Sequence, residues 1–241
     1  MQRNYIKMKE VIKNIDGKKI DYEIEYEEVA DIKFHNVGRV IGKRIKSFYT
    51  KEPKTLEWIN SFEPNSTFVD IGANIGVYSL YAAKRGHRVI AFEPQALNFA
   101  ELYTNIYLNK ISDKIVGYNI ALDNRNSIEY LSLLSMVPGQ SHNDYAIDKE
   151  NQIKQGCVAF ELDYLVKENI VTQPDHIKID VDGLELNVIQ GAINTINKCK
   201  SVLVELTDNK VLTPITQLGF KVDETMTYQL SKTETNYILR R

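Results

Sequence analysis

Apolar runs of strand length alternate with stretches of helical period through most of this chain. Strands are expected over 67–71, 88–92 and 114–120, separated by a helix from about Ile75 to Lys84 and by a second that opens at Pro94 and carries Leu97, Phe99, Leu102, Ile106 and Leu108. Strand, helix, strand, helix, strand predicts parallel pairing with right-handed crossovers. A ligand then belongs at the carboxyl ends of the strands, where Asp70, Glu93 and Ala121 fall. Residues 122–161 break the rhythm: they are polar, show short strand patterns at 127–133 and 156–160, and contain Pro138-Gly139-Gln140-Ser141-His142-Asn143-Asp144. They read as an insertion at the cofactor edge, placed to act as a substrate lid. The regular pattern returns with a short helix over 162–168, a strand over 176–181, a helix over 184–197 and a strand over 201–206. A helix near 209–217 and an antiparallel pair at 219–222 and 237–239 close the chain. Before all of this, alternation around Asp16-Gly17 predicts a β-hairpin, and Pro53 opens a helix reaching Phe62. The division expected is an N-terminal hairpin and helical cap over 1–62, then a catalytic domain over 63–241.

Composition narrows the class. The 241 residues, 43% of them hydrophobic, suffice for one large α/β domain. A net charge of −2 supplies no basic field for phosphates, which argues against a nucleic-acid partner. Met1-Gln2-Arg3-Asn4-Tyr5 begins no apolar stretch of signal-peptide length and no run approaches a membrane span, so a cytoplasmic protein is expected. Cys157 and Cys199 lack the spacing of a zinc or redox pair and read as packed thiols.

The candidate chemistry starts at Phe68-Val69-Asp70-Ile71-Gly72-Ala73-Asn74-Ile75-Gly76, an apolar strand that runs through glycines into a helix. Such a turn lets backbone approach a ligand and points the unpaired N–H groups of a helix N-terminus at it. Glu93, at the tip of the next strand and followed by Pro94, is suited to accept from both ribose hydroxyls. A dinucleotide fingerprint wants glycine where this chain has Asn74. That difference and the nearby Asp70 favour S-adenosylmethionine, whose cationic groups suit a carboxylate, over an NAD-dependent oxidoreductase. A catalytically silent binding module is a further alternative, disfavoured because an empty pocket has no need of an acid aimed at a ribose.

A second constellation gathers Asp180, Asp182, Glu185 and Glu205 near neighbouring strand ends. Mutually repelling carboxylates need a cation among them, and the candidates are Lys178, a divalent metal, a substrate amine or the sulfonium. Alternatively one acid has a raised pKa and serves as general base. Asp180, at the strand terminus, is the leading candidate for base or substrate anchor; Asp182 and Glu185 equally suit a helix start. His142 in the insertion is a second candidate base, and the basic stretch from Arg39 to Lys46 a candidate guide for an anionic substrate.

Together FVDIGANIG (68–76), VIAFEP (89–94), NIYLN (105–109), NIAL (119–122), Leu162-Asp163, IKIDVDGLE (177–185), Gln190-Gly191-Ala192 and Val204-Glu205 resemble the FkbM family of S-adenosylmethionine-dependent methyltransferases over about residues 50–222. The resemblance implies a doubly wound class I (Rossmann-like) fold with a seven-stranded, mostly parallel sheet, and methyl transfer to a hydroxyl of a sugar, glycan precursor or secondary metabolite. By position, Asp70, Gly72, Ala73, Asn74 and Gly76 look like the loop around the cofactor's methionine part, Glu93 like the ribose ligand with Pro94 beside it, and Ala121 like an adenine neighbour. From the carboxylate cluster itself, Glu205 is expected to give Asp180 electrostatic support. The family more often has Glu where this chain has Asp182.

Overall fold

The computed structural model describes residues 8–13, 19–141, 144–145, 147 and 152–241. The chain begins with a three-stranded antiparallel sheet of β1 (Met8–Lys13), β2 (Lys19–Val29) and β3 (Ile32–His35). Helices α1 (Arg39–Lys46) and α2 (Pro53–Asn60) follow. The alternating core is β4 (Thr67–Ile71), α3 (Val77–Lys84), β5 (Arg88–Phe92), α4 (Ala96–Asn109) and β6 (Ile115–Tyr118). The insertion contributes β7 (Ala121–Leu122), β8 (Ser127–Leu133), β9 (Asp144–Tyr145) and β10 (Ile153–Phe160), which form a separate four-stranded sheet. Then come α5 (Leu162–Lys167), β11 (His176–Ile179), α6 (Glu185–Gln190), α7 (Ile193–Ile196), β12 (Ser201–Leu206), α8 (Thr213–Gln217), β13 (Lys221–Val222), β14 (Tyr228–Gln229) and β15 (Thr235–Arg240).

The large sheet has the order β13-β15-β12-β11-β4-β5-β6, with β14 added on β15. From β12 through β6 every pairing is parallel, while β15 runs antiparallel to both β12 and β13, so the sheet is mixed. The chain winds outward from β4 to β6 and then returns to place β11 on the other side of β4. The order reverses there, and a crevice opens at the carboxyl ends of β4 and β11.

Strand period assigns side chains to the two faces. Val69 and Ile71 of β4, Ile177 and Ile179 of β11, and Val202 and Val204 of β12 pack with Val188 and Ile189 of α6. On the opposite face Phe68 and Leu203 join Leu80 of α3, Leu102 of α4 and the N-terminal residues Phe34, Ile41, Ile45, Trp58 and Ile59. Asp70, Lys178 and Leu203 are in register across β4, β11 and β12, which puts the two charged residues on this second face, under the N-terminal segment. The edge strand β3 is held by α4. Asn105 Oδ1 accepts from His35 N–H at 2.7 Å, Asn109 Oδ1 from Lys33 N–H at 2.9 Å, and Asn109 Nδ2 donates to Lys33 O at 2.7 Å. Asparagines one helical turn apart thus satisfy a backbone that would otherwise be open to another strand.

Three expectations need correction. Residues 184–197 are not one helix: the chain breaks at Gly191-Ala192 between α6 and α7. A Cβ on Gly191 would lie 2.0 Å from Asp123 O, so this turn is pressed directly against the start of the insertion. The strand expected over 114–120 ends at Tyr118, and Ala121 belongs to the insertion's sheet through its pairing with Ala159. Residues 29–50, given no element from the pattern, contain β3 and α1.

Candidate active site

The loop leaving β4 is closed on itself. Gly72 and Ala73 N–H both donate to Phe92 O at 2.9 Å, and Gly76 N–H donates to Ala73 O at 2.8 Å. Asn74 N–H donates to Glu93 Oε2 at 2.7 Å, and Ile75 N–H to Asn74 Oδ1 at 3.0 Å. Each amide from Gly72 to Gly76 therefore has a partner within the protein. Gly72, at φ 79°, lies so close to β11 that a Cβ would sit 1.9 Å from Asp180 O. Gly76 begins α3, and a Cβ there would meet Leu102 at 2.4 Å.

A cavity of about 490 Å³ opens over this loop at the strand ends. Of the residues singled out in the sequence, Gly72, Asn74, Glu93, Pro94, Ala121, Asp180 and Glu205 line it together. Asp70 lies beneath the loop, 1% exposed, accepting from Ser79 Oγ at 2.6 Å. Ala73 lines a smaller adjoining recess with Tyr78 and Lys178. His142 lies outside the described residues. One end of the cavity is apolar, with Ile71, Phe92, Ile120, Leu122 and Leu131, and Glu93 stands at its edge. The two Glu93 oxygens accept from Asn74 N–H and Gln95 N–H, the second at 2.9 Å. Burial pushes this carboxyl up to about 7 against the pull of those donors.

The other end is ionic. Asp180, just past β11, accepts from Lys178 Nζ at 2.6 Å. Glu205 near the end of β12 and Glu52 before α2 bring carboxylate oxygens within 4.8 Å of Asp180 and of one another. Glu52 has no exposed surface and accepts from Lys51 Nζ at 2.9 Å, Thr55 Oγ1 at 3.1 Å and Asn236 Nδ2 at 3.2 Å. Burial favours a neutral Asp180, but the charges of Lys178 and Lys51 outweigh it and hold the carboxyl below its ordinary range. Burial likewise opposes the charge on Lys178, yet Asp180, Asp70 and Glu52 keep it raised and protonated. Glu205 is pushed up to about 8, by burial and then by Asp180. Its Oε2 is buried without a hydrogen-bond partner among the described residues. Two lysines supply much of the positive charge that these acids need, and among the described residues Glu52, Asp180 and Glu205 are close enough together to share a divalent ion. Asp182 lines the cavity mouth, while Glu185 Oε1 accepts from Gly183 N–H at 2.9 Å at the start of α6.

Over the cavity lies a strap from the insertion. Gly139 O accepts from Arg44 Nε at 2.7 Å, and Gln140 O accepts from Asn74 Nδ2 at 3.2 Å and Asn98 Nδ2 at 3.0 Å. Asn98 Oδ1 accepts from Gly139 N–H at 2.7 Å. Side chains of α1, the glycine loop and α4 therefore converge on two consecutive residues.

Residues 70–229 match the family model described as Methyltransferase FkbM domain. The chain belongs to the FkbM methyltransferase family. Among curated proteins, this FkbM chain is 28% identical to Methyltransferase 1 of Beauveria bassiana over 170 residues, 62% of this chain and 68% of that protein. It is 27% identical to the hexuronic acid methyltransferase AglP of Haloferax volcanii over 145 residues, 60% of this chain and 57% of that one. Among solved structures, the FkbM methyltransferase of Methylobacillus flagellatus KT superposes with a TM-score of 0.51 at 16% identity, covering 83% of this chain and 59% of that one. Pyrococcus horikoshii TYW2, in complex with MeSAdo, superposes with a TM-score of 0.50 at 18% identity, covering 90% and 69%. These likenesses show the class I methyltransferase fold. The chain spans less than two thirds of the length of AglP and of the Methylobacillus protein.

Several residues that shape this FkbM site were not singled out from the sequence. Glu52 sits before a proline with nothing local to link it to Asp180. Asn98 and Gln95 look like ordinary first-turn residues of α4, and Gln95 is the N-cap, its side chain accepting from Asn98 N–H at 2.6 Å. Lys178, by contrast, was named from the sequence as a candidate cation among the acids, and it is found on Asp180.

Proposed function

We propose that the chain methylates a hydroxyl oxygen of a sugar, glycan precursor or related metabolite, with S-adenosylmethionine as donor. The observation that carries this reading is the pairing, in one cavity, of an apolar slot edged by Glu93 with an ionised Asp180 at the far end. The slot fits an adenosine: flat apolar surface beside a carboxylate with lone pairs left over for two hydroxyls. The amides from Gly72 to Gly76 are all taken within the protein and are closed to a pyrophosphate, which supports this cofactor over NAD.

When bound, the cofactor supplies an activated methyl group, which the hydroxyl oxygen takes while sulfur leaves with the bonding electron pair. The protein has two tasks, to fix the acceptor oxygen in line and to take its proton. Asp180 is charged because of Lys178, so it accepts a hydrogen bond from the incoming hydroxyl. As the new oxygen–carbon bond forms, that proton becomes strongly acidic, and even a carboxylate of depressed pKa takes it. Glu205 is neutral near pH 7 and limits the negative charge at this end. Cys157 and Cys199 are buried, and burial pushes their thiols up to about 11 and about 12, so neither is placed to act as a nucleophile.

Calorimetric titration with S-adenosylhomocysteine and with NAD tests the cofactor: binding of the first and not the second is expected. Asp180→Asn is expected to lower methyl transfer to a sugar acceptor by about 10²- to 10⁴-fold with S-adenosylhomocysteine affinity within a few-fold of wild type. Unchanged turnover would remove Asp180 from the mechanism.

A further inference from the structure

The cavity carries charge of both signs, on different elements. The acids Glu93, Asp180 and Glu205 come from the strand ends, whereas Lys43, Arg44 and Lys51 line the cavity from α1 and the turn after it. Two of the nearby cations are already neutralised, Lys51 by Glu52 and Lys178 by Asp180. The Lys43 side chain has no ion pair or hydrogen bond to any described residue, and the Arg44 side chain uses only its Nε, on the carbonyl of Gly139. Neither cation therefore meets a carboxylate among the described residues, although both face the site. Arg44 is close enough to Asp180 for its charge to lower that carboxyl, and the two share a recess that Glu93 does not line.

We propose that Lys43 and Arg44 form an anion subsite for the acceptor, so that the preferred substrate is an acidic sugar, with a carboxylate or phosphate beside the hydroxyl to be methylated. This rests on the methyl-transfer reading above and specifies its substrate class. A guanidinium whose end nitrogens are unpartnered offers the paired donors that match a carboxylate or phosphate, and a flexible ammonium beside it adds charge without demanding one geometry. The subsite lies on the Asp180 side of the cavity. Anchoring the anion there turns the neighbouring hydroxyl toward the proton acceptor, so one contact supplies both affinity and orientation. A neutral sugar would leave two cations facing the cavity without a partner.

The same charge would also suit the carboxylate of the cofactor, and the experiment separates the two sources. The protein is saturated with S-adenosylhomocysteine and titrated calorimetrically with D-glucuronate, D-glucose 6-phosphate and D-glucose at low ionic strength. The acidic probes are expected to bind at least about tenfold more tightly than glucose, with the preference shrinking as salt is added. Lys43→Glu should abolish the preference, Lys43→Arg should keep it, and both should leave S-adenosylhomocysteine affinity unchanged; Lys43 is exposed, and matched thermal melts would confirm that the variants fold. No preference for the acids, including no binding of any probe, overturns the proposal. So does a Lys43→Glu variant that loses S-adenosylhomocysteine as steeply as glucuronate, because the cations would then serve the cofactor. Failure of wild-type protein to bind S-adenosylhomocysteine would instead overturn the methyl-transfer reading itself.

Discussion

Glu93 is the residue on which pH should act most directly. Its folded-state carboxyl sits at about 7, above the ordinary value of 4.5, because burial outweighs two backbone donors. A ligand whose hydroxyls donate to it favours the ionised form, so S-adenosylhomocysteine affinity should rise as pH increases through about 7 and fall below it. The linkage to stability has the opposite sign. The folded protein binds this proton more tightly than the unfolded chain, so the stabilisation is complete below about pH 4.5 and is lost as pH climbs to about 7. The span is on the order of 3 kcal/mol, taking about 1.4 kcal/mol per pKa unit. Glu93→Gln should remove both dependences, seen in calorimetry and in urea melts from pH 5 to about 8, and should weaken S-adenosylhomocysteine binding by about 10- to 100-fold through loss of charged hydrogen bonds. A pH-independent affinity in the wild type would contradict this assignment.

At the scale of elements, the break between α6 and α7 depends on a contact that substitution tests cleanly. Gly191 has ordinary helical dihedrals, so alanine there meets no backbone penalty, only Asp123 O at 2.0 Å. Gly191→Ala should cost roughly 2 kcal/mol or more, by analogy with other overpacked sites, and lower the melting temperature by at least about 4 °C in differential scanning calorimetry. The same contact shows why the sequence read this stretch as one helix: its period runs on through Gly191, and the carbonyl that forbids it lies far back in the chain. Strands were legible wherever a buried parallel run stood between turns, as at Thr67–Ile71 and His176–Ile179. The antiparallel pairing of β8 with β10 was likewise legible in part, its strands foreseen at 127–133 and 156–160. β3 is only four residues long, and α1 contains a buried Gly42, so neither gave a full period. In the site, Asp70, Gly72, Glu93 and Asp180 stood out because each occupies a strand end, a position that sequence pattern locates. Glu52 did not, since only the packing of the N-terminal segment on the sheet brings it to Asp180.

For the molecule as a whole, the N-terminal segment and the insertion meet over one site. Apolar residues from Val29 to Phe62 share a core with Phe68, Leu80 and Val89, so the ionic cluster is roofed by the same packing that fixes the sheet. Among the described residues no helix is long and apolar enough to cross a membrane. The strap at Gly139-Gln140 is tied to Asn74 in the glycine loop and to Arg44 of α1. A latch held at both places sets a timetable. Under the proposed function the donor is expected to enter first and its spent form to leave last, after the methylated product. Steady-state kinetics should therefore follow a compulsory order, with S-adenosylhomocysteine competing against the donor and giving mixed inhibition against the acceptor. Asn98→Ala, which removes two of the ties, should shift that pattern toward random entry.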